Sequence, residues 1–246
     1  MKIFVINLKR SVDRREHVSN LLRGIDFEFF EGEDIADNPE HEIYSLYDAS
    51  KTLKYKGYTL TTPELGCFAS QINLWRHCVK INEPVLIFED NIKLYGDLKA
   101  QLNNINSLVS QYGIVKLGNY FERKYTKVAV LDDTYSLVSC AESACGNSAY
   151  AITPEVANKY LSILQGFFEP VDDFIDNEWR TGQTLVSYSP NLVARSDTCS
   201  TIGIRKIKGK ISCLNKVNVE AYRLYRQLRQ SFYNIRHKRN IPSPKL

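Results

Sequence analysis

At 246 residues the chain can bury one large core or two small ones, and 43% hydrophobic with 24% charged residues is ordinary for a globular protein. The net charge of +4 hides an asymmetry: residues 203–246 hold 12 Lys and Arg against the single acid Glu220, while the first 202 hold 20 against 27 Asp and Glu. An acidic body with a basic tail implies an anionic partner, and no run approaches the ~20 apolar residues that a membrane span needs.

Lys2 to Leu8, KIFVINL, is short, apolar and rich in β-branched residues, which predicts a buried first strand. KRSVDRREHVSNLLRG follows with Val12, Val18, Leu21 and Leu22 roughly one helical face apart and Gly24 as a stop signal; DFEFFEG predicts a second strand. Residues 33–58 are polar and lack a clear period, so they read as a long loop or small insertion. In TTPELGCFASQINLWRHCVKINE, Thr62 suits an N-cap, Pro63 the first helical position and Glu64 the first turn. Leu65, Phe68, Ile72, Trp75 and Val79 then recur at three- and four-residue steps, as on an amphipathic helix.

PVLIFED is apolar on both faces, as central strands of parallel sheets are. A helix over about 97–111 and a strand in GIVKLG continue the alternation, and KVAVLDDTYSLVS predicts a hairpin turning near Asp132 and Asp133. NSAYAITPEVANKYLSILQG reads as a strand and a helix that starts at Thr153 and Pro154. PVDDFIDNEWRTG reads as an acidic helix and QTLVSYSP as a last strand. VNVEAYRLYRQLRQSFYNIRHKRN puts Tyr225, Leu228, Phe232 and Ile235 on one side and Arg223 and Arg226 on another, a basic amphipathic helix. No internal repeat appears. The expected organisation is a body over 1–202 and a basic helical tail over 203–246 packed on the same domain.

The six cysteines, Cys67, Cys78, Cys140, Cys145, Cys199 and Cys213, form no C-x-x-C pair and no zinc spacing, and read as free thiols of a reducing compartment. After Met1 and Lys2, IFVI is too short for a signal peptide, so the expected location is cytoplasmic and peripheral to a membrane. Phosphate-loop, G-x-G-x-x-G and G-x-S-x-G motifs are missing, which removes the main support for kinase, dehydrogenase and α/β-hydrolase readings.

Two acidic groups stand out. Glu89, Asp90 and Asn91 follow a buried strand, where open α/β sheets bind ligands, and their oxygens suit Mg²⁺ or Mn²⁺. The plainer alternative has Glu89 capping the next element and Asp90 forming a turn. Asp172 or Asp173 shares a helical face with Asp176, and one of these could be a general base. Alternatively they satisfy a helix dipole.

FVINLKRSVDRRE, TPELGCFASQINLWRHCV, PVLIFEDNI, NSAYAIT and PVDDFI occur in this order, and together they resemble glycosyltransferase family 25 from Lys2 to about Gly203. The resemblance implies a single A-type glycosyltransferase-like, Rossmann-like α/β domain with a mostly parallel central sheet. It implies an inverting transferase that moves galactose or glucose from a UDP-sugar to a lipooligosaccharide core. Asn7, Arg10 and Arg14 match the opening motif expected near the nucleotide. Glu89 and Asp90 match the acidic strand-end motif, with Asp90 and Asn91 as metal ligands for Mn²⁺ or Mg²⁺. Asn147, Ser148 and Tyr150 match the strand beside the donor sugar, and Asp172, then Asp173, match the base.

Two departures from the family pattern matter. Asn91 stands where the family carries a second Asp, which weakens metal binding or leaves it to Asp90. Gln71 stands where the family has His after Ser70. The tail would hold the protein at anionic lipid or at the phosphorylated acceptor. A non-catalytic sugar-nucleotide binder is the alternative that Asn91 raises. A nucleic-acid binder using the tail is less consistent with an acidic body and a tail without a recognition module.

Overall fold

The computed structural model describes residues 1–196, 213–238 and 241–244. The chain opens with β1 (Lys2–Asn7), α1 (Val12–Leu21) and β2 (Glu28–Glu31). Two short helices, α2 (Ile43–Leu46) and α3 (Ala49–Lys56), precede the long α4 (Thr62–Ile81). Next come β3 (Val85–Glu89), β4 (Ile92–Leu94), α5 (Leu98–Tyr112), β5 (Ile114–Lys116), β6 (Tyr125–Val130) and β7 (Ser136–Cys140). The order continues with β8 (Ala149–Ile152), α6 (Pro154–Ile163), α7 (Val171–Asp176), α8 (Glu178–Thr181), β9 (Val186–Ser189) and β10 (Val193–Arg195). Helix α9 (Cys213–Tyr233) runs on into a π-helical turn at Asn234–Lys238.

Eight strands form one sheet in the order β2-β1-β3-β8-β5-β9-β7-β6. β1 pairs parallel with β2 and β3, and β5 with β9; β8 is antiparallel to β3 and β5, and β7 to β9 and β6. Six strands therefore share one direction and only β7 and β8 oppose it, which is the mostly parallel sheet expected. The unbroken apolar run of β3 follows from its place between two cores. Val85 and Ile87 join the layer with α4 and α6, and Leu86 and Phe88 join the layer with α1 and α5.

The reversed strand β8 matters for function. It is antiparallel to β3, so it begins where β3 ends, and Glu89 N donates to Ser148 O at 2.9 Å. Residues 147 and 148 thereby reach the sheet edge that carries Glu89, Asp90 and Asn91.

The structure corrects three expectations from sequence. Residues 33–58 are not a structureless loop: α3 is capped by Asp48, whose carboxylate accepts from Lys51 N, and ends at left-handed Gly57. Helix α4 starts one residue earlier than expected. Thr61 is its N-cap and forms a reciprocal capping box with Glu64, a tighter arrangement than Thr62 could make with Leu65. β4 and β10 form an antiparallel pair that the three-residue runs did not signal. Helix α9 is the basic amphipathic helix expected, with Tyr225, Leu228, Phe232 and Ile235 on its exposed side. Its packed face carries Val219, Tyr222, Arg226 and Tyr233, because Arg226 finds a buried carboxylate partner in Asp173. The part of the expected tail over 203–212 lies outside the described residues.

Candidate functional site

Two cavities adjoin at the carboxyl ends of β1 and β3. A larger one of about 570 Å³ is bordered by Asn147, Asp172, Asp173 and Trp179, with Arg223, Arg226, Gln227 and Gln230 of α9 on its far wall. A smaller cleft of about 120 Å³ is bordered by Arg10, Arg14, Asp34, Cys67, Asp90 and Asn91. Glu89 and Arg195 line both, so they form the passage between the two.

At the smaller cleft the strand-end residues interlock. Asn7, the last residue of β1, is buried and donates from Nδ2 to Asp90 Oδ2 at 2.9 Å. Arg14 on the first helix donates to Asp90 Oδ1 at 2.9 Å, and Arg10 pairs with Asp34. With its amide oriented to satisfy its neighbours, Asn91 donates to Glu89 Oε2 at 3.1 Å and accepts from Arg195 Nε at 3.0 Å. Arg195 reaches that position because β10 pairs with β4 in the register Arg195 opposite Ile92. The sequence missed Arg195, since a three-residue strand gives no period to read.

A divalent cation needs several oxygens converging on one open point. Here both Asp90 oxygens already hold Asn7 and Arg14, and the Asn91 amide lies between Glu89 and a guanidinium. Among the described residues no group of three His, Cys, Asp or Glu side chains could hold a metal. The residues present do not fit a metal on Asp90 and Asn91, and no step below runs through one. The positive charge at this edge belongs to three guanidinium groups. Arg10 and Arg14 are paired with acids, whereas the Arg195 partner just named is the neutral Asn91 amide.

The larger cavity owes its shape to a buried ion pair. Lys116, fully enclosed at the end of β5, donates to Asp176 Oδ1 at 2.9 Å and to Cys145 O at 2.7 Å. Asp176 Oδ2 accepts from Ser143 Oγ at 2.9 Å and from Cys145 N at 2.8 Å. Burial alone would push Lys116 down, but the Asp176 charge and hydrogen bond, with Asp172 nearby, hold its ammonium above the ordinary lysine value. The pair clamps the turn 143–146, whose Cys145 and Gly146 both have positive φ. A Cβ on Gly146 would lie 2.7 Å from Tyr120 N, so only glycine fits there.

Next to that turn, Asn147 is 2% exposed, and among the described residues neither its Oδ1 nor its Nδ2 has a hydrogen-bond partner. An unmet buried amide costs about 1–3 kcal/mol, which is tolerable where a ligand hydroxyl completes it. Of the other donor-side residues read from sequence, Ser148 borders the same cavity. Tyr150 does not: it is fully buried, accepts from Trp75 Nε1 at 2.8 Å and donates to Gln71 Oε1. Alternation along β8 turns it into the α4 layer, so it belongs to the core, and Gln71 serves as its anchor.

The three acids of α7 have separate surroundings. Asp176 is the clamp described above. Asp173 pairs with Lys56 at 2.7 Å and Arg226 at 3.4 Å. Burial pushes its carboxyl up, but Lys56 and Arg226 more than offset this and hold it below the usual carboxylate value. Such an acid takes up a proton poorly. Asp172 is half-buried on the wall of the larger cavity, in the first turn of α7.

Comparison with known proteins identifies the family of the chain. The family model described as Glycosyltransferase family 25 (LPS biosynthesis protein) matches residues 1–175. The chain is similar to a "Glycosyltransferase 25 family member" of Drosophila pseudoobscura pseudoobscura, 30% identical over 188 residues, 70% of this chain and 29% of that protein. It is similar to human "Procollagen galactosyltransferase 2", 25% identical over 185 residues, 71% of this chain and 29% of that one. It also resembles bovine "Probable inactive glycosyltransferase 25 family member 3", 27% identical over 190 residues, 71% and 31% of the two chains. The matched region is thus less than a third of each of these relatives.

Proposed function

Because this chain belongs to glycosyltransferase family 25, we propose that it moves a hexose, galactose or glucose, from a UDP-sugar to a hydroxyl of a lipooligosaccharide core. The observation that carries this reading is the pair of cavities joined at Glu89 and Arg195, one wall acidic and amide-bearing, the other lined with guanidinium groups. In this reading the diphosphate lies along the smaller cleft, where Arg10, Arg14 and Arg195 offer planar donors to phosphate oxygens. The sugar extends past Glu89 to the unmet amide of Asn147.

In the proposed reaction the acceptor oxygen attacks the anomeric carbon from the face opposite the diphosphate. The bond from that carbon to the phosphate oxygen breaks with inversion, and UDP leaves carrying the bonding pair. Asp172 takes the acceptor proton, for which its place on the wall of the larger cavity suits it. Arg195 stabilises the charge that develops on the leaving diphosphate. Fixed cations at a partly enclosed site can supply this without reorganisation.

A second reading, a sugar-nucleotide binder without turnover, is favoured by one observation, the Asn91 amide where family members carry an acid. The two readings separate in one experiment. Thermal unfolding is followed against a panel of nucleotide sugars, and the sugar that raises the midpoint is then offered with acceptor. Stabilisation with transfer supports the enzyme, and stabilisation alone supports the binder. No stabilisation by any nucleotide sugar would overturn both. In this proposal the acceptor is lipid-linked, and the protein works at the cytoplasmic face of an anionic membrane.

A further inference from the structure

Helix α9 has two unlike faces. On its inner side, the Tyr222 ring lies 5.0 Å from Tyr55, Arg226 pairs with Asp173, and Gln230 donates to Glu178 Oε2 at 2.7 Å. Its outer side carries Val217, Leu224, Leu228 and Phe232, and Ile235 follows in the π turn. These residues are 67, 57, 62, 67 and 55% exposed. At roughly 100° per residue, steps of seven, four and four keep the first four on one stripe, about half a turn from Arg226. Single exposed apolar residues need no explanation, but a continuous row on one helix does.

The stripe has basic margins. Lys216 and Arg223 flank one side, Arg229 and Arg236 the other, and all four are exposed. Between Asn215 and Lys238 the only acid is Glu220. Among the described residues no helix is long and apolar enough to cross a membrane. Large apolar side chains bordered by cations on a surface helix suit the headgroup region of an anionic bilayer. A second copy of the chain suits it less, since apolar stripes meeting face to face would bring guanidinium margin against guanidinium margin.

We propose that the outer face of α9 docks on an anionic lipid bilayer, with the helix lying in the membrane plane. Arg223 and Gln227, on the shoulder beside the stripe, also border the larger cavity. Docking therefore sets the mouth of that cavity against the lipid surface. This deepens the proposed function by giving a lipid-linked acceptor its approach, yet it can be tested without donor or acceptor.

The test is co-sedimentation of the full chain with vesicles of phosphatidylcholine alone or mixed with phosphatidylglycerol. It compares wild type with Leu228→Ser/Phe232→Ser and with Arg229→Gln/Arg236→Gln, and sedimentation equilibrium gives the oligomeric state. Truncating α9 would be uninformative, because its inner face walls the cavity. The wild type should sediment with phosphatidylglycerol vesicles, and the Leu228/Phe232 variant should bind them at least about tenfold more weakly. The Arg229/Arg236 variant should lose the preference for anionic lipid. UDP-sugar hydrolysis by the Leu228/Phe232 variant should be unchanged, which shows the site intact. Equal sedimentation of wild type and the Leu228/Phe232 variant would overturn the proposal. So would indifference of the wild type to phosphatidylglycerol, or a wild-type dimer that the same variant splits. Absence of any transferase activity would leave vesicle binding standing.

Discussion

Asp176→Ala is the most informative single substitution, because it separates architecture from chemistry in the acidic cluster. In the native protein, Asp176 meets Lys116, Ser143 and Cys145 through three contacts of 2.8–2.9 Å. Among the described residues, removing it leaves the fully buried Lys116 ammonium with the Cys145 carbonyl as its one hydrogen-bond acceptor. Breaking a buried pair in this way costs about 3–5 kcal/mol. In a domain of this size each kcal/mol lowers the melting temperature by about 2–4 °C, so the expected fall is about 6–20 °C. Lys116→Met/Asp176→Leu should recover much of it, since replacing both partners by apolar groups is often nearly neutral. Circular dichroism melts give the midpoints, and donor titration reports the turn 143–146. Asp176→Asn should also destabilise, because in either orientation its amide hydrogens would face a donor, the Lys116 ammonium or the Cys145 N–H. If Asp176→Asn instead melts with the wild type while transfer is lost, Asp176 is the base and the clamp argument is wrong.

Asp172→Asn should lower the transfer rate by about 10²–10⁴ with donor affinity kept; a rate within a few-fold of wild type moves the base elsewhere. Arg195→Ala should weaken UDP-sugar binding, and a chelator should not affect binding by the wild type. Loss of binding with EDTA and its return with Mn²⁺ would restore the metal reading. Asn147→Ala should leave the melting temperature unchanged or slightly raised while weakening the donor, as calorimetry can check, because an unmet buried amide is removed. The pH dependence follows from Asp173, whose folded carboxyl is held below its unfolded value. Its stabilising contribution is therefore complete above the unfolded carboxylate range near ~3.9 and is lost as pH falls through the lower folded value. The melting-temperature gap between wild type and Lys56→Met should be wide at neutral pH and narrow on acidification. A gap independent of pH would refute the Asp173 assignment.

Legibility in the sequence followed physical range. PVLIFED, TTPELGCFASQINLWRHCV and NSAYAIT declared their elements because burial on both faces, helical period and capping are local. Glu89, Asp90 and Asp172 could be singled out for the same reason, each at the end of an element or in its first turn, whereas Asn147 came from the family resemblance alone. Arg195 and Arg226 could not, because their importance comes from pairings with Asn91 and Asp173 across long sequence separations. Tyr150 shows the opposite error. It neighbours true wall residues in sequence, yet the alternation of β8 sends it into the core.

The reversed direction of β8 has a mechanical consequence. It ties the Asn147 lip to β3 through main-chain hydrogen bonds, so that jaw of the site is as stiff as the sheet itself. The opposing jaw, α9, is held at the cavity by side chains such as Arg226 and Gln230. Acceptors of different girth must therefore be accommodated on the helical side, by rotamers and small shifts of one rod, while the donor-facing side keeps its aim.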